Sequence, residues 1–303
     1  MANVIVAGAD GFIGKNLVRH LVDKGYSVVA LGIYFDEEME RIAKCVNVKD
    51  MAMSQILETL SGDAYACFYD LAWVGTSGTL RADYGVQLDN VRLTCDYVKL
   101  ASNLSCPRFV YASSINEMET YEYLQSDGAL PGGGYIYGTA KLAAHLMGET
   151  VAFQHHVGFI PVIITNIYGV GEKSARLVYT SVKKLLAGEK CSFTEGFQTY
   201  DFVYISDAIA SVVNVGEKGT PFHRYYIGSG EPKPLREFLL QMRDVVSPGA
   251  QLGLGDIPFQ GVDIDYAQFD MKKVEKDTGY RNQISFEEGI RMTAHWIRKE
   301  ENL

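Results

Sequence analysis

Tyr137-Gly138-Thr139-Ala140-Lys141 places a phenol and an ammonium four residues apart in what reads as a helix, Lys141 through Thr150. At that spacing both side chains lie on one helical face. A fixed cation beside a phenol favours the phenolate, so Tyr137 is a candidate to give or take a proton well below the roughly 10 of free tyrosine. This is the equipment of a general acid/base. By itself the pair fits a surface tyrosine and a solvated lysine better, so it needs a second feature beside it.

That feature stands near the N-terminus. Asn3-Val4-Ile5-Val6-Ala7 reads as a buried strand, and Gly8-Ala9-Asp10-Gly11-Phe12-Ile13-Gly14 follows at once, with a helix expected from Phe12 to about Lys24. Three glycines at a strand-to-helix turn permit a tight bend and close approach of backbone N–H groups to a pyrophosphate, whose charge sits at the helix N-terminus. The spacing is G-x-x-G-x-x-G and departs from the ordinary G-x-G-x-x-G of dinucleotide sites.

The elements that must position these groups are legible as apolar runs. Val4–Ala7, Ser27–Leu31, Ala66–Leu71, Arg108–Ala112 and Val162–Thr165 alternate with helical stretches, the pattern of an α/β fold with a doubly wound parallel Rossmann sheet. Ligands bind such sheets at the carboxyl ends of the strands, where the glycine turn, Ala72, Ser114 and the Asn166 segment all fall. Residues 1–165 are therefore expected to form the dinucleotide-binding domain. Residues 166–303, with Gly/Pro-rich loops and a final amphipathic helix from Ser285 to about Lys299, are expected to form mainly a smaller C-terminal substrate-binding lobe. A strand or helix near Asp201–Val215 is expected to return to the first domain.

Together these residues resemble the extended short-chain dehydrogenase/reductase superfamily and, within it, the NAD-dependent epimerase/dehydratase family that works on nucleotide sugars. The resemblance runs over nearly the whole chain. Phe109-Val110-Tyr111-Ala112-Ser113-Ser114 is similar to the family strand whose last serine completes a Ser, Tyr, Lys set. It thereby implies Ser114, with Ser113 the lesser candidate, beside Tyr137 and Lys141. Asn47-Val48-Lys49-Asp50 resembles the adenine-pocket motif, with Asn in place of its first Asp. Tyr69-Asp70-Leu71-Ala72-Trp73 resembles the strand end lining the cofactor, and Asn90 falls on the helix after it. Asn166-Ile167-Tyr168-Gly169 and Tyr200-Asp201-Phe202-Val203-Tyr204-Ile205-Ser206-Asp207 resemble two further family segments.

The resemblance implies cofactor contacts from Gly8, Gly11, Phe12, Ile13, Gly14, Asn47, Val48, Leu71, Ala72, Trp73, Tyr137, Lys141 and Ile164. It further implies hydride transfer between a nicotinamide and a sugar carbon, most often C4, with proton transfer through Tyr137. Ser114 would bond the reacting oxygen and Lys141 the nicotinamide ribose. The helices around Gln87–Ala101 and after Tyr137 resemble those of the family's intersubunit bundle, which implies a homodimer.

Composition suits such an enzyme. The 303 residues are 47% hydrophobic and 21% charged with a net charge of -9, an ordinary globule whose acidity argues against nucleic acid and against an anionic membrane surface. Five cysteines without a C-x-x-C pattern suit reduced thiols in the cytoplasm, and no metal site is expected. No apolar run reaches a membrane span of about 18 residues, and no signal peptide is evident.

Three departures bear on the chemistry. Gly32 ends the second strand where NAD enzymes usually carry an acid for the adenosine ribose. No Lys or Arg follows in Ile33-Tyr34-Phe35, and Asp36, Glu37 and Glu38 would repel a 2′-phosphate, so NAD is favoured and NADP remains possible. Asn116, two after the serine, cannot serve as the acid of a sugar 4,6-dehydratase, which puts epimerisation and carbonyl reduction ahead of dehydration. Glu117 and Glu119 remain candidates to meet a sugar hydroxyl. Tyr200 stands where the family has an arginine for the substrate diphosphate, and Gln260-Gly261-Val262-Asp263 lacks a second one. Lys173 and Arg176 are the candidate substitutes. The substrate-binding set is then Ser114, Glu117, Asn166, Lys173, Arg176 and Tyr200. The expected activity is an NAD(P)-dependent epimerase or ketoreductase of a nucleotide-activated sugar. The alternatives are a reductase of a free sugar or small carbonyl compound, and a non-catalytic dinucleotide-binding regulator.

Overall fold

A computed structural model describes residues 2–127, 132 and 134–302. Six strands lead the chain: β1 (Asn3–Ala7), β2 (Ser27–Gly32), β3 (Lys44–Asn47), β4 (Tyr65–Asp70), β5 (Arg108–Ser114) and β6 (Gly158–Ile164). Between them run helices α1 (Phe12–Asp23), α2 (Glu37–Ile42), α3 (Met53–Leu60), α4 (Tyr84–Asn103), α5 (Asn116–Gln125) and α6 (Gly134–Gln154). Thereafter come the short strands β7 (Asn166–Tyr168), β8 (Cys191–Phe193), β9 (Thr199–Tyr200), β10 (Phe202–Tyr204), β11 (Tyr225–Ile227), β12 (Lys233–Pro234) and β13 (Leu252–Leu254). Helices α7 (Leu177–Leu186), α8 (Ile205–Lys218), α9 (Leu235–Val246), α10 (Lys273–Thr278) and α11 (Phe286–Glu301) complete the chain.

The main sheet has the order β11-β6-β5-β4-β1-β2-β3, every neighbour parallel. Strand direction of winding reverses between β1 and β4, and the crevice of a doubly wound sheet lies at that switch. Alternate residues of β1 enter opposite cores. Val4 and Val6 join the layer of α1 and α8, whereas Ile5 and Ala7 join the layer of α3, α4 and α6. A sheet covered on both faces needs apolar residues at both parities, which is why its strands read as unbroken runs.

Two findings extend the expectations from sequence. Helix α8 lies against α1 and the backs of β4, β5 and β6, and just beyond it β11 joins β6 as a seventh strand. The helix bearing Lys141 begins at Gly134 and not at Lys141, so Tyr137 stands one turn inside it. Gly138 makes this possible by bringing α6 against α5: a Cβ there would lie 2.4 Å from both the Asn116 carbonyl oxygen and Thr120 Oγ1. In the second half of the chain, β7 pairs with β10, β8 with β13 and β9 with β12, and α7, α9 and α11 pack together.

Candidate active site

The glycine turn is shaped by its neighbours. Gly8 has φ +74, and a Cβ on it would lie 2.7 Å from the backbone of Leu71 and Ala72, so only glycine lets β1 turn this closely over the end of β4. Gly11 caps α1 with no side-chain hydrogen bond. The first-turn N–H groups of α1 are thus left for a ligand or solvent, as an anion-binding helix end requires. These features fit a dinucleotide. A cavity of about 300 Å³ opens over the turn, lined by Gly8, Gly11, Phe12, Ile13, Gly14, Leu71, Trp73, Ala112, Tyr137, Lys141 and Ile164 among others. Ala72 contributes its backbone against Gly8, and its N–H donates to Asp70 Oδ1 at 3.2 Å. Asn47 and Val48 lie farther out, at the end of β3. There Val48 N–H donates to the Gly32 carbonyl and the Asn47 side chain bonds Ile33 and Lys49. Asn90 holds the loop after β4 through both N–H and C=O of Val74.

Lys141 donates from Nζ to the Ala112 carbonyl at 2.8 Å and lies 3.6 Å from the centroid of the Trp73 ring. Burial pushes its pKa down, opposed by the nearby charges of Asp70 and Glu117. Burial likewise pushes Asp70 up against the pull of Lys141, and Asp70 Oδ2 has no hydrogen-bond partner among the described residues.

A second cavity of about 380 Å³ meets the first at Tyr137. Thr76, Ser77, Gly78 and Arg81 are among its lining residues, as are Ser114, Asn116 and Glu119 and, from the second half of the chain, Asn166, Tyr168, Glu172, Arg176 and Tyr200. Ser114 Oγ donates to Asn116 Oδ1 at 3.1 Å, which also accepts from Arg81 Nη2 at 3.1 Å, while Asn116 Nδ2 donates to Glu119. Arg81 also donates to the Thr76 carbonyl at 2.9 Å, and its guanidinium lies 4.1 Å from the centroid of the Tyr137 ring. Burial pushes Glu119 up, against its hydrogen bond from Asn116 and the charge of Arg81.

This geometry corrects the electrostatic expectation for Tyr137. Burial pushes the phenol up, and the groups that pull it down are the Ser114 hydroxyl, Arg81 and Arg176. Lys141 is aimed at Ala112 instead, so the cations beside the phenol come from outside its own helix. Arg81 was missed in the sequence because nothing in a 3-10 turn, Thr79–Ala82, marks one arginine as different from any other.

Two of the expected substrate residues are elsewhere. Glu117 is fully buried behind the strand, accepting from Ser113 Oγ and facing His145 Nδ1 at 3.2 Å. A helix turns about 100° per residue, so Glu117 cannot share the face of Asn116, and the Ser113 hydroxyl is committed to Glu117. Lys173 reaches outward to Glu300, 2.7 Å away, and does not line the cavity. Ser114, Asn166, Arg176 and Tyr200 do line it. Among the described residues no cluster of His, Cys, Asp or Glu could hold a metal ion, and no helix is long and apolar enough to cross a membrane.

Comparison with known proteins agrees with this architecture. The chain is similar to CDP-abequose synthase of Salmonella typhimurium, 24% identical over 95% of each chain. It is also similar to UDP-N-acetyl-alpha-D-glucosaminuronate decarboxylase of Bacillus cytotoxicus, 22% identical over 98% of each. The fold matches that of UDP-glucuronic acid 4-epimerase from Bacillus cereus, solved with UDP-glucuronic acid and NAD, with a TM-score of 0.80 at 18% identity, covering 98% of this chain and 99% of the other. The model of the NAD dependent epimerase/dehydratase family matches residues 4–228, and the chain belongs to that family of enzymes.

Proposed function

We propose that this enzyme is an NAD-dependent epimerase or ketoreductase that exchanges a hydride with C4 of a nucleotide-activated sugar, with Tyr137 as the acid/base. The observation that carries this reading is the place of Tyr137 at the seam of the two cavities, lining both. A bound nicotinamide supplies hydride acceptance and return. The chain supplies the rest. Tyr137 takes or gives the hydroxyl proton, and Ser114 holds the reacting oxygen beside it. Lys141, steadied by Ala112 and Trp73, meets the nicotinamide ribose, and the open first turn of α1 receives the pyrophosphate.

Arg81 and Arg176 take the part of the missing diphosphate arginines. Neither forms a salt bridge among the described residues, so both have donors free for an anion. Glu119 favours a second reading, sugar dehydration: it is a half-buried carboxyl held at the cavity wall, with its pKa raised by desolvation so that it retains a proton more readily. A homodimer through α4 and α6 is supported by Tyr84, Leu88, Leu146, Met147 and Phe153, all exposed on those two helices. A cytoplasmic setting is supported by five cysteines that are all unpaired.

The test is to denature the purified protein, identify and count any dinucleotide released, and then offer UDP-, CDP- and dTDP-hexoses. Sugar stereochemistry is followed by NMR and free NADH by absorbance. Retained NAD with C4 interconversion and no net NADH marks an epimerase, and consumption of added NADH marks a reductase. A protein that binds dinucleotide yet exchanges hydride with no nucleotide sugar overturns the proposal; activity on a free sugar or small carbonyl compound would then replace it, and inactivity would favour a regulator.

A further inference from the structure

The end of β2 is where a sheet of this kind ordinarily offers an acid to the adenosine ribose, and here that position is Gly32. Its space is filled from another direction. A Cβ built on Gly32 would lie 3.0 Å from both Cγ and Oδ1 of Asp10. Asp10 belongs to the glycine turn after β1, and its Oδ2 accepts the backbone N–H of Ile33, the residue after Gly32, at 3.0 Å. The Asp10 carboxylate therefore stands in the volume that a β2-end side chain would use. One of its oxygens is tethered, and the other, Oδ1, has no hydrogen-bond partner among the described residues. The side chain is only partly buried.

We propose that Asp10 is the carboxylate that receives the adenosine ribose hydroxyls, and that it sets this site for NAD against NADP. The inference rests on the dinucleotide reading of the glycine turn. One short segment then supplies both the pyrophosphate-binding backbone and the ribose-binding acid, two tasks usually divided between the first and second strands.

The neighbouring charges point the same way. A 2′-phosphate would need free cations, and the two on this side of α1 are engaged. Lys15 Nζ lies 2.6 Å from Asp36 Oδ2, and Arg19 forms a two-bond fork on Glu38 at 2.9 and 2.7 Å. The acidic run after β2 thus neutralises α1 and leaves Asp10 as the carboxylate at the strand end. Asn47 completes the frame by donating to the Ile33 carbonyl at 3.1 Å, so both backbone groups of Ile33 are held, one by Asp10 and one by Asn47.

The test is titration of the full-length protein, freed of bound nucleotide, with NADH and with NADPH, for wild type, Asp10→Asn and the double variant Asp10→Ala/Gly32→Asp. The amide oxygen of Asn can still accept the Ile33 N–H, so Asp10→Asn is expected to melt close to wild type. It removes the charged acceptor, and NADH binding is expected to weaken about tenfold or more. NADPH is expected to weaken less or to gain, so the preference for NADH collapses. The double variant moves the acid to the usual position, where the tip of the Phe35 ring, 2.9 Å from the new Cβ, must shift, and it is expected to restore that preference. An unchanged ratio of the two affinities in folded Asp10→Asn, or a double variant that binds NADPH as well as NADH, overturns the assignment. Wild type that binds neither dinucleotide overturns the reading of the cleft itself, a different result from loss of discrimination alone.

Discussion

On the glycine-turn side of Tyr137 the cleft is built largely from backbone: the first turn of α1, the Gly8 bend and the Ala112 carbonyl under Lys141. On the other side it is built from side chains that segments far apart in the chain bring together, Arg81, Asn116 and Glu119, Asn166, Arg176 and Tyr200. The difference teaches where specificity is written. Backbone recognition tolerates little change, because a Cβ on Gly8 would strike the backbone after β4 and one on Gly14 would strike the turn itself. Side-chain recognition can be rewritten one residue at a time, and under the proposed function Arg81 and Arg176 do what an arginine at the position of Tyr200 would do.

Substituting Tyr137, which lines both sides, gives the largest expected effect. Tyr137→Phe keeps the ring against Trp73, whose centroid is 6.0 Å away, and removes only the proton-carrying oxygen. Turnover is expected to fall by about 10²- to 10⁴-fold, with dinucleotide affinity unchanged; measured turnover near wild type would remove Tyr137 from the chemistry.

Next come the arginines of the side-chain wall. Arg81→Met keeps much of the bulk over the Tyr137 ring and deletes the charge, and kcat/KM for the sugar substrate is expected to drop by about tenfold to a hundredfold. Dinucleotide affinity should stay put, since Arg81 lines only the second cavity. Arg176 lines both cavities, so Arg176→Met is expected to affect the two ligands together. If Arg81→Met also weakened dinucleotide binding, the division into a backbone side and a side-chain side would fail.

A smaller effect tests the seam from behind. Gly138→Ala forces a methyl against the Asn116 carbonyl and Thr120, and overpacking of this kind costs about 1–3 kcal/mol. A lowered melting temperature should accompany loss of activity, because the helix that must shift carries both Tyr137 and Lys141.

The same contrast explains what could be read from sequence. The parallel sheet was legible because buried strands are continuous apolar runs, and the turn because Gly8 and Gly14 leave no room for a Cβ. Strand β11 was not: Tyr225-Tyr226-Ile227 is too short to show a period, and only residues 219–224 separate it from the end of α8. The start of α6 was hidden by Gly134 and Gly138, which are poor helix formers; Gly138 is required there by the close approach of α5. Glu117 looked like a site residue because it is adjacent in sequence to Asn116, yet helical rotation turns it into the interior beside His145. Arg81 and Asp10 gain their places only from tertiary contacts, with the Tyr137 ring and with the space beside Gly32, and no local pattern carries that information.

The smallest expected effect lies on the backbone side, in the charges around α1. Asp36 caps α2 by accepting the Met39 N–H at 3.0 Å and pairs with Lys15. The hydrogen bond from Lys15, then that from Met39, hold its carboxyl below the usual 3.8. A depressed pKa means that the folded state favours the ionised form, so the contribution is present above the unfolded value and is lost as pH falls through the folded one. Asp36→Asn separates charge from cap, since Asn caps a helix about as well as Asp. Wild type is therefore expected to melt slightly higher than the variant at neutral pH, with the gap closing in acid below 3.8 and shrinking in high salt, because the pair is open to solvent. A gap that persisted in acid would show that Asp36 acts through its cap alone. Lys15 would then be unneutralised in effect, and the case for α1 as a poor host for a 2′-phosphate would have to rest on Asp10 without help from the acidic run.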